Sequence, residues 1–483
     1  MLQHNKRNLT MLMDFYELTM SNGYFVKGLK DKKVVFDMFY RKNPDNGGFV
    51  IAAGLEQFVE YLQNFSFTKE DIDYLRNRNM FDDGFLEYLS DFKFSGDVYA
   101  VPEGTIVYPN TPLVTVVAPL IDAQLIETML LLTINHQSLI ATKANRIVRA
   151  AGNASVMEFG ARRAQGGDAA IYGARACYIG GVGATATTIA DEMFNVKAVG
   201  TMAHSFVQFF DNEYEAFKAY AEVYPDACIL LIDTYNVLES GVKNAIRVAK
   251  EVLEPMGKTL KGVRIDSGDL AYLSKKVRVE LDKAGLTDCT IVVSNSVDEY
   301  LITSLNEQGA KIDSYGVGER MITAKSEPVF GGVYKLAAVE NDNGEFEPKI
   351  KISENIEKIT NPGLKTLWRI FDKATGHGIA DVITLADEVI DDTKPYPYID
   401  EIKPWKKRKF TDFKCERLQK KIFENGKLIY DLPSLEEIRE KVKYQLENTV
   451  WIEEQRFNNP HTHYVDLSLK LYETKQDLLS KFS

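Results

Sequence analysis

One recurrence constrains this chain more than any other feature. Six times between Ala154 and Glu319, a short apolar run closes on polar or glycine residues. The closings are Glu158-Phe159-Gly160, His204-Ser205, Asp233, Asp266-Ser267-Gly268-Asp269, Ser294-Asn295-Ser296 and Gly316-Val317-Gly318-Glu319. Mostly helix-like stretches separate them, at intervals near the ~30 residues of one strand-helix unit. Such alternation predicts an α/β region with parallel strands, in a sheet or a barrel, whose C-terminal ends converge on one face. Ligands bind at that face, so the pattern names the side chains expected to line one pocket.

The flanking segments read differently. Residues 9–25 predict a helix that Asp14 can cap and Asn22-Gly23 can end. Strands are predicted at Val34–Tyr40 and Gly48–Ala53, and a helix near Leu55–Asn64. Gly96–Ala118, rich in β-branched residues and prolines, predicts short antiparallel strands and turns. A long helix from Asp122 to about Ala151 leads into the six runs. Beyond about Pro362 charge density rises. The basic run from Lys403 to Lys409 reads as a solvated hairpin, and Leu435–Leu446 as a charged amphipathic helix.

A chain of 483 residues can bury sizeable cores in two or three domains. No apolar stretch reaches the ~18 residues of a membrane span, and the polar start, Met1 to Arg7, leads into no signal-like apolar core. Four cysteines stand far apart with no C-x-x-C pair, which fits unpaired thiols in a reducing cytosol. The net charge of −11 argues against a broad nucleic-acid surface. Against it, residues 141–176 hold six cations and two anions, an island suited to a small polyanion. Within it Lys143, Arg146 and Arg149, at i, i+3 and i+6, read as the wet face of a helix.

The strongest single motif is Arg264-Ile-Asp266-Ser267-Gly268-Asp269. Two carboxylates three residues apart on a tight turn can accept bonds from sugar hydroxyls or hold magnesium through its waters; Asp269 can equally cap the next helix. Arg264 at the end of a buried strand needs an anion beside it. Gly316-Val-Gly318-Glu319 is a glycine turn that can form a phosphate nest. His204 ends a run on the functional face, where a histidine suits base or nucleophile chemistry. Phe159 with Arg162 and Arg163 can stack a flat ligand and grip an anion, or be a core ring beside surface arginines. Two near-motifs fail. Gly181-Val-Gly183 fits a loose dinucleotide fingerprint, but Tyr178-Ile179 is a poor preceding strand. Gly257-Lys258-Thr259 lacks the first glycine of a phosphate loop, because position 252 is Val. His461-Thr-His463 could bind metal only with further partners.

Glu-Phe-Gly-x-Arg-Arg-Ala-Gln-Gly, Gly-Thr-x-Ala-His-Ser, Arg-x-Asp-Ser-Gly-Asp and Gly-x-Gly, in this order and spacing, resemble nicotinate phosphoribosyltransferases. The likeness extends to Asp14–Met20, Asn135–Lys143 and Gly332–Leu336, and covers roughly residues 8–370. It implies an irregular α/β barrel of the type II phosphoribosyltransferase kind, at 131–355, with an N-terminal α/β domain at 1–130 and a C-terminal α+β extension at 356–483. It implies joining of nicotinate to 5-phosphoribosyl-1-pyrophosphate with release of pyrophosphate, coupled to ATP hydrolysis through a phosphohistidine. Magnesium, a cytoplasmic homodimer with shared sites, and neither nucleic-acid nor membrane partners are further implied. His204 would be phosphorylated. Phe159 would stack on the pyridine, with Tyr16 of the neighbouring subunit opposite. Arg264 and Thr201 would contact nicotinate or the sugar phosphate, and Arg162 pyrophosphate. Asp233, Asp266 and Asp269 would hold ribose, magnesium or the histidine ring. Ser267, Gly268, Asn295, Gly316, Gly318 and Glu319 would complete the donor site; of Glu319 only the backbone N–H carries over, since human-type relatives have threonine there.

Nicotinamide-using relatives place an aspartate in the loop aligned with Gly180–Gly183. Its absence here favours nicotinate, and no extra basic motif serves the second carboxylate of quinolinate. The alternatives are a nicotinamide or quinolinate phosphoribosyltransferase, an NAD-dependent oxidoreductase using Gly181-Val-Gly183, and an idle sensor of the same fold.

Overall fold

Six short strands carry the barrel region: β1 (Ser155–Glu158), β2 (Ala184–Thr185), β3 (Ile229–Leu231), β4 (Gly262–Ile265), β5 (Thr290–Ser294) and β6 (Ser314–Val317). They pair in the order β2-β1-β6-β5-β4-β3, and every ladder is parallel. Val156, Leu230, Leu231, Val263, Ile265, Ile291, Val293 and Val317 are all buried. That is what a parallel sheet covered on both faces requires. The intervening helices start where the sequence supplies a cap. Asn212, Asp269 and Asp298 each accept a first-turn backbone N–H with the side chain, satisfying donors that a helix start leaves open.

The computed structural model describes residues 7–355, 358–400, 405 and 407–482. The polar start, Met1 to Lys6, and Lys403, Pro404 and Lys406 of the basic run lie outside the described residues. The chain forms two compact units, Ile140–Pro328, which holds the barrel strands, and Met1–Leu139 with Val329–Ser483.

In the barrel unit two expectations change. The run closing on His204 is not a strand. It touches β2 through one bridge, Thr185 to Ala198, and after Val199 leaves the ladder. Thr201 and Met202 bond the Arg264 guanidinium instead, and His204 opens the helix His204–Phe209. The edge strand β2 takes its place in the sheet; two residues long, it shows no periodicity. Lys143 and Arg146 do share a helix face, but that face is buried. Both lie on the Glu299 carboxylate, at 2.8 and 3.0 Å, and Glu299 supplies from a distant helix the anion that local spacing could not reveal. Arg149 is only partly exposed, and burial foremost lowers its pKa to about 10.

In the other unit a seven-stranded antiparallel sheet runs in the order Phe346–Pro348, Gly332–Glu340, Lys33–Tyr40, Val114–Pro119, Asp97–Ala100, Lys420–Glu424, Lys427–Leu428. The segment Gly332–Glu340, assigned above to the barrel, pairs with Lys33–Tyr40. Lys420–Glu424 pairs with Asp97–Ala100. Three successive segments thus become two units, which is affordable because loop closure entropy grows only slowly with length. The helix from Phe15 runs through Gly23 to Val26 rather than ending there. Phe25 packs on Phe85 and Tyr88, offsetting the ~1 kcal/mol of a helical glycine. A six-stranded sheet from residues 365–467 has its own core of Trp368, Ile370, Val382 and Phe413. The hairpin of Tyr396–Ile399 and Lys407–Phe410 forms one edge.

His463 is no metal ligand here. It is buried, stacked 3.7 Å from Tyr108, and its Nδ1 meets Glu454 at 3.0 Å. No group of three metal-binding side chains occurs among the described residues. All four cysteines are free.

Candidate active site

The ends of β3, β4 and β5 bring one hydrogen-bonded chain together around Asp233. Its carboxylate is almost wholly buried (1% exposed). Oδ1 lies 3.1 Å from His204 Nε2. Oδ2 accepts from the Asp266 backbone N–H at 3.0 Å and the Ser267 hydroxyl at 2.7 Å. A buried carboxylate is costly unless its lone pairs are taken up, and three donors do so here. An ionised carboxylate only accepts, so a neutral His204 paired with it carries its proton on Nε2 and leaves Nδ1 as an acceptor. The imidazole is 39% exposed, so Nδ1 can meet a ligand. Asp266 is anchored by the Ser294 hydroxyl on Oδ1, a contact that the sequence did not signal. Immediately beyond, Asn295 and Ser296 both adopt positive φ (87° and 47°), the kind of backbone strain that gathers at functional sites.

Arg264 points from β4 toward the same region. Its guanidinium donates to Thr201 Oγ1 at 2.9 Å and Met202 O at 3.3 Å, and lies 3.8 Å from Asp266. Nε is buried with no hydrogen-bond acceptor among the described residues. Burial lowers its pKa despite the nearby carboxylates of Asp266 and Asp233, and the charge of exposed Arg162 reinforces the shift. A cation with a spare buried donor is suited to an anion.

Phe159 lies one residue beyond β1, beside β6. A Cβ on Gly316 would sit 2.5 Å from the Phe159 ring, and one on Gly318 3.1 Å from its carbonyl oxygen. Both glycines of the turn therefore have a steric cause, the close approach of Phe159, alongside any use of their N–H groups. Glu319 pairs with Lys325, which holds its carboxyl below the ordinary range, and reaches Arg163 at 4.0 Å.

Asp269 is exposed and caps its helix through Tyr272 N–H at 2.9 Å. Gly268 turns with φ 88°. Tyr16 belongs to the other unit; the residue is 42% exposed, and burial, then Glu127, raise its pKa. Gly180–Gly183 is corrected. Gly180 packs on Ala141 and Ala144, and Gly183 N–H bonds Val156 O, so this loop meets the N-terminal end of β2, away from the site face. Residues at the C-terminal end, Thr185, Ala186 and Thr187, carry no acid either. Gly181-Val-Gly183 follows the helix Gly167–Ile179 rather than a strand, so the dinucleotide fingerprint lacks its context.

Three family models match the chain: the nicotinate phosphoribosyltransferase N-terminal domain over residues 11–135, the nicotinate phosphoribosyltransferase family over 154–375, and the corresponding C-terminal domain over 364–475. A nicotinate phosphoribosyltransferase of Bacillus subtilis is 43% identical over 97% of this chain and 94% of its own. One of Caenorhabditis elegans is 35% identical over 96% and 92%. The crystal structure of human nicotinic acid phosphoribosyltransferase superposes with a TM-score of 0.87 at 29% identity, covering 96% of this chain and 99% of that one.

Proposed function

The chain belongs to the nicotinate phosphoribosyltransferase family and is an enzyme of that activity; on that premise we propose how its own residues carry the reaction and its coupling to ATP. The observation that carries the proposal is the Asp233–His204 pair, because a histidine held through Nε2 presents Nδ1 as a nucleophile of fixed orientation. His204 Nδ1 attacks the γ-phosphorus of ATP, the bond to the β,γ-bridging oxygen breaks and ADP leaves, with Asp233 stabilising the cationic ring as the bond forms. The resulting phosphohistidine strengthens binding of the phosphoribosyl donor, and its hydrolysis draws the reaction forward.

Nicotinate stacks on Phe159 and sets its carboxylate against Arg264 and Thr201. Its ring nitrogen attacks C1 of the ribose, the C1–O bond breaks, and pyrophosphate leaves with the electron pair toward Arg162. Displacement through a cationic, oxocarbenium-like state needs positioning and charge stabilisation more than a strong base. Asp266 and Ser267 orient the ribose, and the turn Gly316–Glu319 receives the 5′-phosphate. Asp266, part-exposed at 33%, and exposed Asp269 fit magnesium as one or two carboxylates beside substrate phosphates, the usual habit of that ion; when bound, it neutralises charge on pyrophosphate. The enzyme acts as a cytoplasmic homodimer in which the neighbouring subunit contributes Tyr16. Among the described residues no helix is long and apolar enough to cross a membrane.

The test is mononucleotide formation from nicotinate, the phosphoribosyl donor and magnesium, with and without ATP, with nicotinamide in parallel. The proposal expects product from nicotinate, rising with ATP. A His204→Ala variant that keeps full ATP stimulation would overturn the coupling.

A further inference from the structure

The acid next to the ring platform has no part in the reaction as described. Glu158 is fully buried (0% exposed), and among the described residues hydrogen-bond donors rather than a cation are its principal partners. Its Oε1 accepts the Gly160 N–H. Its Oε2 accepts the hydroxyls of Thr185 at 2.6 Å and Thr187 at 3.2 Å. Burial raises its pKa, against the pull of these donors. A carboxyl placed in an apolar interior is expensive, and all three groups that offset it lie at the C-terminal ends of β1 and β2.

We propose that Glu158 is a positioning residue that clamps the Phe159–Gly160 turn to the end of β2 and so fixes the ring on which nicotinate stacks. This rests on the reading of Phe159 as the stacking partner. On its β6 side Phe159 is already held: its N–H bonds Val317 O at 2.8 Å, and the ring lies against Gly316. On its β2 side the regular ladder ends at Thr185. Beyond that, the backbone offers one bond, Ala186 N–H to Glu158 O at 2.8 Å. The side chain of Glu158 completes the attachment from inside. Thr185 Oγ1 in turn accepts the Thr187 N–H at 2.9 Å, which keeps the second hydroxyl in reach. Both carboxyl oxygens are thereby held within the protein.

The experiment is steady-state kinetics with nicotinate and the phosphoribosyl donor varied separately, on Glu158→Gln, Thr187→Val, Thr187→Ser and Phe159→Leu. Loss of one clamp bond is expected to raise KM for nicotinate about tenfold, the effect of one buried hydrogen bond on a binding step. KM for the donor should rise less, because its ribose and 5′-phosphate meet other strands and only its pyrophosphate reaches Arg162 beyond this turn. Thr187→Ser keeps the hydroxyl and should behave as wild type. Folded Glu158→Gln and Thr187→Val enzymes with unchanged nicotinate KM, or with both KM values raised alike, would overturn the proposal. Should Glu158→Gln fail to fold, Thr187→Val, which removes only the outermost bond, decides alone. A Phe159→Leu enzyme with unchanged nicotinate KM instead removes the stacking reading itself, so the two failures are distinguishable.

Discussion

Replacing Asp233 by Asn changes one atom of the carboxyl group and separates catalysis from folding. Oδ2 takes two donors, the Asp266 N–H and the Ser267 hydroxyl, whereas Oδ1 takes one, His204 Nε2. The asparagine oxygen therefore settles at the Oδ2 position, and its NH2 faces the imidazole. Nε2 must then accept, so the proton moves to Nδ1 and the nucleophilic lone pair is withdrawn from the site. A charge-assisted bond becomes a neutral one, at a stability cost of about 1 kcal/mol, or about 2 °C in Tm for a chain this size. The loss of histidine reactivity should be far larger, ~10³–10⁴-fold, the scale found when the same substitution inverts the tautomer of a catalytic triad. The assay is rapid-quench phosphorylation of His204 from ATP, beside a thermal melt. A variant that melts near wild type but phosphorylates at the wild-type rate would refute the argument, because Nδ1 would not then be the acceptor.

Gly316→Ala would put a methyl 2.5 Å from the Phe159 ring and shift it by roughly 1 Å; kinetics should show nicotinate kcat/KM falling by ~10²-fold, with about 1–3 kcal/mol of overpacking in the melt. Glu299→Gln leaves Lys143 and Arg146 without their shared buried carboxylate and should cost about 3–5 kcal/mol in urea unfolding; a change under about 1 kcal/mol would show that these cations have other support. For His463 burial works to lower the pKa, but Glu454, hydrogen-bonded to Nδ1, and Asp381, 3.4 Å from Nε2 although off-line for a hydrogen bond, raise it overall. A raised folded pKa contributes stability that is complete below the unfolded value, about 6.5, and is lost as pH rises through the folded one. Melts from pH 6 to 9 should therefore show this contribution falling in wild type and absent from His463→Gln.

Much of the site was legible because a parallel strand presents its C-terminal residues to the ligand face whatever the rest of the chain does. Apolar runs followed by Phe159, Asp233, Asp266 and Gly318 needed only that rule. The exceptions share a cause. Thr185 and Thr187 serve a strand two residues long, too short for any period to register. The segment before His204 is apolar enough to resemble a strand, yet its bonds go to an arginine side chain 63 residues away. Gly180–Gly183 was misjudged because an aligned loop says nothing of which end of its strand it occupies.

What the sequence determined by itself was therefore local and periodic: the alternation of apolar runs and helices, their caps, and the identity of the groups at strand ends. Only the tertiary structure decided which faces turn inward and which groups meet. Lys143 and Arg146 became a buried ion cluster on Glu299, more than 150 residues away in the chain, and His204, at a helix start, is oriented by the Asp233 carboxylate just beyond β3. Periodicity encodes which side of an element a residue occupies, but the free energy of burying a charge depends on what stands opposite it. That partner is chosen by the fold.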